Sequence, residues 1–488
     1  MVAAGHPLTA EAGAAILRIG GNAVDAAIAA MLASFAAEPL LTGFGAGGYM
    51  LVHTPSEGGV LLDFFVEAPG RGADRGALAE LVPVAVSFGD AEQVFNVGPA
   101  SVGTYGTPAG ICAAVERFGS GIALKELAAA GQALARDGVR LTAEQAYVLE
   151  ILDGIVRSTP ECEALYAPEG ALLREGELLR NPDLADALEL LGAEGATPFY
   201  DGQIGQAIAA WVSERGGLLT HADLVAYRAL AREPVRVPYR GRIVLTNPPP
   251  SAGGVLIAYA LSLLGRGAGP PTSADLVEAM EAAQAERTPE FLTGLAEPGF
   301  LARFSSSRLG ATTHISVLDR DGVACSVTAT NGEGAGVVVP GTGVHLNNIM
   351  GEQDLNPLGF HRHRPGTRMP SMMAPTVVLR DGVPELVLGS AGSNRIRSAI
   401  LQTIVGVVDR GLRADAAIDA PRLHFEDGVV YAEPGADTAT LEASGRAIAR
   451  FRARNLFFGG AQAVERDPES GELSGGGDPR RGGAVVVA

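Results

Sequence analysis

The chain has 488 residues, 47% of them apolar, 19% charged and 5% aromatic, so it is neither a peptide nor a disordered tail and can bury a core as one large or two to three ordinary domains. Its 37 basic and 55 acidic residues leave a formal charge of −18 at pH 7, which argues against nucleic-acid or anionic-membrane partners, because a footprint on phosphates needs clustered cations. Cys112, Cys162 and Cys325 lie far apart without Cys-x-x-Cys spacing, against a disulfide framework or a zinc knuckle.

From Met1 to Ala37 the pattern predicts two helices. Thr9 is placed as cap of the first, whose apolar positions Ala12, Ile16 and Ile19 recur at helical spacing until Gly20-Gly21. The second, from Val24, is alanine-rich on nearly all sides and is expected to be buried on most faces. Gly43-Phe44-Gly45-Ala46-Gly47-Gly48 matches Gly-x-Gly-x-x-Gly, but here a helix precedes the glycines and an extended run, Tyr49 to His53, follows. A dinucleotide site needs the opposite order, so close packing or positive φ is the better reading.

Helical patterns alternate with Gly and Pro punctuation from Val102 to about Ala229, and the period turns strand-like between Val235 and Thr246. Pro248 to Gly254 then forms a rigid loop into a helix at Val255. Thr312 to Leu318 and Ala324 to Thr330 read as two strands joined by Asp319-Arg320-Asp321-Gly322, a hairpin signal. Ala374 to Leu379 and Pro384 to Leu388 flank a second such turn, and a helix from Arg395 to about Asp409 follows. Strands and helices that cluster separately favour stacked layers over a doubly wound sheet.

Catalytic signatures are few. Lys125 is the only lysine and sits between Leu124 and Glu126, which removes a Walker A loop; Gly-x-Ser-x-Gly and His-Glu-x-x-His are absent. His314, His345, His361 and His363 match no metal spacing and are expected as solvated loop histidines. Thr312-Thr313 entering a strand is ordinary by itself. It becomes chemistry only if the chain is cut before Thr312, because the freed α-amine titrates near neutrality and can take the hydroxyl proton.

Several segments in one order give that cut its context: His6-Pro7-Leu8, Gly20 through Ala27, Glu38-Pro39, Gly43 through Met50, Tyr239-Arg240-Gly241, Pro248 through Gly254, Thr312-Thr313-His314, Asn347-Asn348, Pro375-Thr376, Arg395-Ile396 and Asp478-Pro479-Arg480-Arg481. Together they resemble the γ-glutamyltransferase family of N-terminal-nucleophile hydrolases over nearly the whole chain. The resemblance implies an α+β fold, a four-layer αββα sandwich, as a single domain over 1–488. Autocleavage before Thr312 would divide it into a large subunit, 1–311, and a small one, 312–488, paired as a heterodimer that can assemble further into a homo-oligomer. The implied activity is transfer of a γ-glutamyl or related acyl group from a small-molecule amide to water or an amine. No cofactor or metal is implied, and no nucleic acid or membrane. The absence of a leader-like N-terminus suggests a cytoplasmic protein, or a periplasmic or secreted one if a leader has been trimmed.

By the same resemblance Thr312 is nucleophile and, through its amine, base; Thr330 orients it; Gly392 and Ser393 supply backbone oxyanion donors where the family has Gly-Gly. The positions implied to bind substrate depart from the family pattern. Phe65 stands where the family has a carboxylate-binding arginine, Ser371-Met372 replaces Ser-Ser, and Ile349 and Glu352 fall at the ammonium-binding positions, with Asn331 one residue early. A pocket with Phe65, Ile349 and Met372 would suit a larger or more apolar acyl group. Arg71, Arg362, Arg364 and Arg368 remain as substitute clamps, each expected as a solvated surface charge. The alternatives are an acylase or small-amide hydrolase on a non-glutamyl substrate, and a binding scaffold that never cleaves itself.

Overall fold

The computed structural model describes residues 1–87, 92–286, 312–356 and 359–488. The protein is α+β, built around two antiparallel sheets. The first has seven strands: β1 (Val2–Ala4), β2 (Gly47–Thr54), β3 (Gly58–Phe64), β4 (Leu230–Arg232), β7 (Thr313–Leu318), β8 (Ala324–Thr330) and β13 (Ala484–Val486), in the order β13-β1-β7-β8-β2-β3-β4. The second has six: β5 (Val235–Tyr239), β6 (Arg242–Thr246), β9 (Thr376–Arg380), β10 (Val383–Ala391), β11 (Gly460–Arg466) and β12 (Leu473–Gly477), in the order β12-β11-β10-β9-β6-β5. Strands β7 and β8 lie against β10 and β11, so the sheets meet face to face.

Helices α1 (Pro7–Arg18) and α2 (Ala23–Ala37) pack on the first sheet, while α3 (Ala252–Leu264), α5 (Arg395–Val408) and α6 (Ala414–Asp419) pack on the second; α4 (Ser273–Ala285) lies against α3. The period of two along each strand sorts the side chains. Val2, Ala4, Met50, Val52, Ile315, Val317, Cys325 and Val327 join the apolar cluster under α1 and α2. Ala3, Tyr49, Leu51 and Leu61 join the cluster between the sheets and under α3 to α6.

Helix α2 starts on a capping box, with the Asn22 side chain accepting from Asp25 N–H and the Asp25 carboxylate accepting from Asn22 N–H, and all fifteen of its residues are buried. Thr9 does not cap α1. His6 does, its Nδ1 accepting the Leu8 N–H at 3.1 Å, because Pro7 already occupies the first helical position. Thr9 lies one turn inside, fully buried, and donates to Glu38 at 3.1 Å. Helix α3 begins at Ala252, three residues before the expected Val255.

The histidine expectation also fails for His314 and His345, which are 1% and 6% exposed, while His361 and His363 are half-buried. Strand alternation turns His314 inward between the sheets, where its ring meets the Thr328 and Ser316 hydroxyls at 2.8 and 2.9 Å. A Cβ on Gly389 of β10 would stand 2.3 Å from the ring. Ser316 and Ser326 complete this polar seam by donating to the Gln462 and Leu388 carbonyls. Arg368 is likewise no surface charge: it is 8% exposed, ion-paired to Asp63 at 3.4 Å and to Glu67 at 3.6 Å.

Burial pushes His314 down to about 3, and His6 and His345 to about 4, from an ordinary value near 6.5. Between the folded and unfolded values the unfolded chain binds more protons, so this stability is present above the unfolded value and is lost as pH falls toward the folded one. Thermal unfolding midpoints should therefore drop steadily below pH 6, and His314→Asn should flatten that acid limb. Superimposable pH profiles for variant and wild type would remove His314 from the explanation.

Candidate active site

The last registered pair of the β7–β8 hairpin is Thr313 opposite Ala329. Thr312 lies one residue ahead of the strand, and one further step in an antiparallel ladder would set it opposite Thr330, on the face shared by His314 and Thr328. Thr312 is fully buried, and its hydroxyl has no hydrogen-bond partner among the described residues. The Thr330 oxygen accepts the Gly332 N–H at 2.7 Å. Ala311, on the other side of the expected cleavage point, lies outside the described residues. Thr313 points to the opposite face and donates to Glu38 at 2.8 Å. The Glu38 carboxyl, which Thr9 also contacts, is raised by burial toward its neutral form.

Gly392 and Ser393 follow directly on β10, three and four residues past the glycine that floors His314. Both lie in the left-handed region, at φ 115° and 57°. A Cβ at 392 would stand 2.6 Å from the Gly459 Cα, so that position requires glycine for space as well as for φ. Ser393 accepts the strain, of order 1 kcal/mol or more for a residue with a Cβ. Their carbonyls receive the Arg395 and Ile396 N–H groups, which opens α5, and their own amides stand just ahead of that helix's positive end.

A second group of polar side chains adjoins Thr330. Asn331 is fully buried with neither amide atom hydrogen-bonded among the described residues, and the Asn348 amide nitrogen is in the same condition. The Asn348 oxygen accepts the Glu333 N–H at 3.1 Å. A Cβ on Gly332, at φ 66°, would stand 2.0 Å from that oxygen and 2.3 Å from the Glu352 carboxylate. Asn331, Asn348 and Glu352 thus converge on one glycine turn. Buried amide atoms without partners are rare in protein interiors and mark a surface that meets something else. Asn348 was missed as a site residue, since an Asn-Asn pair gives no hint which member is free. Asn347 is spent on Gly45 and Gly103, bracing the glycine loop. A Cβ on Gly45 would lie 2.3 Å from the His345 carbonyl, which confirms close packing as that loop's reason for glycine.

Phe65, Ile349 and Met372 are fully buried in one apolar cluster. Phe65 stacks on Tyr49 at 5.5 Å, and its carbonyl receives the Tyr227 hydroxyl at 2.7 Å together with Arg368. The Ser371 hydroxyl accepts the Met373 N–H at 3.0 Å, and its carbonyl the Ala252 N–H at 2.8 Å. Among the expected substitute clamps, Arg368 is committed to Asp63, Glu67 and Tyr227, Arg71 pairs with Asp223 and Glu67, and Arg362 and Arg364 are exposed. Arg481, which the sequence placed in the Asp478-Pro479-Arg480-Arg481 segment without a role, reaches the site instead, with Nη2 3.4 Å from where a Gly392 Cβ would be. Among the described residues no cluster of three or more His, Cys, Asp or Glu side chains could hold a metal, and no helix is long and apolar enough to cross a membrane.

The sequence model of the gamma-glutamyltranspeptidase family matches residues 9–488. The chain belongs to that family. It is 32% identical to the acylase ACY 1 proenzyme of Pseudomonas sp. strain SE83, over 100% of this chain and 93% of that protein. It is equally 32% identical to the glutathione hydrolase proenzyme of Escherichia coli K12, over 98% and 90%. Among solved structures it is similar to the cephalosporin acylase of Bacillus halodurans, with a TM-score of 0.84 and 26% identity over 99% of this chain and 95% of that one. The family thus includes relatives named for glutathione hydrolysis and relatives named as acylases.

The Gly332 turn tests whether the polar group matters as a unit. Gly332→Ala must displace Asn348 and Glu352, and should lower kcat/KM on an amide substrate by about tenfold or more. Gly382→Ala, at φ 83° with open space around it, carries the backbone cost alone and should leave turnover near wild type. Equal losses in the two variants would contradict the assignment.

Proposed function

We propose that this member of the gamma-glutamyltranspeptidase family is an amide hydrolase and acyltransferase that cuts itself between Ala311 and Thr312 and then uses Thr312 as nucleophile. The observation that carries the reading is the buried Thr312 hydroxyl, without a partner among the described residues, one residue ahead of β7. Cleavage would give fragments 1–311 and 312–488, held together as one four-layer αββα domain of the N-terminal-nucleophile type. The new α-amine takes the Thr312 hydroxyl proton as Oγ1 attacks the amide carbonyl. The Gly392 and Ser393 amides receive the negative charge that develops on the carbonyl oxygen. The C–N bond breaks, the proton passes to the departing amine, and water or a second amine releases the acyl group from Oγ1. Thr330 holds the nucleophile's rotamer, and no step calls for a metal or cofactor.

For the acyl group, Asn331, Asn348 and Glu352 suit an ammonium or another hydrogen-bond donor, as a γ-glutamyl group would offer. A specific observation favours an acylase on a non-glutamyl substrate as the second reading. Phe65, at the position of the family's carboxylate-binding arginine, is locked against Tyr49, and the nearest arginine, Arg368, is already neutralised by Asp63 and Glu67. An aromatic ring offers a carboxylate no bidentate partner.

Denaturing electrophoresis of the purified protein should give two bands, whereas Thr312→Ala should stay a single 50 kDa chain without amidase activity. One persistent wild-type band would support a non-catalytic scaffold instead, and full turnover by the variant would remove Thr312 as nucleophile. Comparing a γ-glutamyl anilide with neutral acyl anilides of similar size separates the two substrate readings. Preference for the neutral set supports the acylase, and preference for the glutamyl compound means another cation has replaced the missing arginine.

A further inference from the structure

A cavity of about 270 Å³ lies beside this site and takes no part in the chemistry above. Leu40, Leu141, Tyr147, Val148, Leu149 and Leu456 give it an apolar side, and His6, Glu144, Gln145, Arg454 and Arg480 are among its polar lining. Two of its other lining residues are hydrogen-bonded into the site and a third lies beside it. Glu38 holds Thr313, the residue after the nucleophile; the Leu41 carbonyl accepts the Asn331 N–H at 3.0 Å; and Arg481 lies against the Gly392 loop. The cavity is therefore one residue removed from the nucleophile strand, from the Asn331 backbone and from the Gly392 loop.

Arg481 is its notable cation. The side chain runs over Gly460 and is half-buried; its Nε is buried without a partner among the described residues, and Nη2 makes only a long contact of 3.4 Å with the Leu456 carbonyl. Asp478, Glu38 and Glu333 act on Arg481 electrostatically, and Glu144 of the cavity wall has its carboxylate 3.4 Å from where a Cβ on Gly482 would be. Asp478 binds Arg422 at 2.7 Å and Arg480 at 3.1 Å, and burial shifts Glu38 toward its neutral form. Burial and the neighbouring Arg395 bring Arg481 down to about 10 against the pull of Asp478, Glu333 and Glu38, which leaves it charged at neutral pH. A guanidinium edge in a cavity with an apolar side matches an apolar group that carries a carboxylate.

Resting on the amidase reading, we propose that this cavity holds an apolar group of the amide substrate and that Arg481 binds a carboxylate carried by that group. The volume admits roughly nine non-hydrogen atoms at ~30 Å³ each. Specificity then lies in Arg481 and the helix Ala143–Ile151, away from Phe65.

Titration calorimetry of the purified wild-type protein with hexanoate and with neutral hexanamide tests this without any turnover. Hexanoate should bind the more tightly. Arg481→Met should weaken hexanoate by about tenfold or more while leaving hexanamide unchanged, and Arg481→Lys should restore part of the difference. Val148→Trp, which fills the cavity from a half-buried helix position, should weaken both. If that variant fails to fold, Tyr147→Ala should instead favour octanoate over hexanoate. Absence of hexanoate binding, or binding indifferent to Arg481→Met, overturns the proposal. A protein that turns over amides but binds no hexanoate refutes this inference alone. One that binds hexanoate as described but neither cleaves itself nor turns over an amide refutes the amidase reading and leaves the cavity assignment standing.

Discussion

The register of one hairpin governs the site. Strands β7 and β8 are joined by a turn in which Asp319 accepts the Asp321 and Val323 N–H groups at 2.9 Å through one oxygen and the Ala23 N–H at 2.9 Å through the other. That carboxylate closes the turn and ties it to the first residue of α2. A slip of one residue would turn every side chain of β7 to the opposite face. Thr312 would then point toward the α1–α2 layer, Thr313 would take its place, and His314 would leave the seam between the sheets. The capped helix, the turn carboxylate and the Gly389 floor beneath His314 all oppose that slip.

Much of this was legible in the sequence because local chemistry announced it. Asp-Gly turns marked both hairpins, proline and glycine bounded the helices, and alternation gave the two faces of β7 and β8. What stayed hidden depended on distant partners. Thr9 looked like a cap until Pro7 left His6 in that position. His314 and His345 looked like loop residues because a histidine's burial depends on hydroxyls and rings brought in from other strands. Arg368 read as surface charge because Asp63 and Glu67 lie three hundred residues upstream. The proposal of Thr312 as nucleophile rested on resemblance, since a Thr-Thr pair entering a strand is unremarkable. Asn348 and Arg481 stood in segments of the family resemblance, but their place at the site showed only in side-chain atoms without partners among the described residues.

Phe65, Ile349 and Met372 belong to the packed interior. Under the proposed function, polar recognition would fall to the Asn331, Asn348 and Glu352 group and to Arg481. A net charge of −18 adds no long-range attraction for an anionic substrate, so any anion it takes must be gripped locally. Relatives named as acylases and relatives named as glutathione hydrolases match this chain at the same 32% identity.

The central claim is that Thr312 carries the acyl group. Rapid acid quenching of the enzyme with a slowly hydrolysed activated ester, followed by mass spectrometry of the separated chains, addresses it directly. The account predicts a fragment beginning at Thr312 whose mass rises by that of one acyl group, with the label on the N-terminal residue. Turnover of the ester with no adduct on that fragment, or an adduct mapped to any other residue, would contradict it.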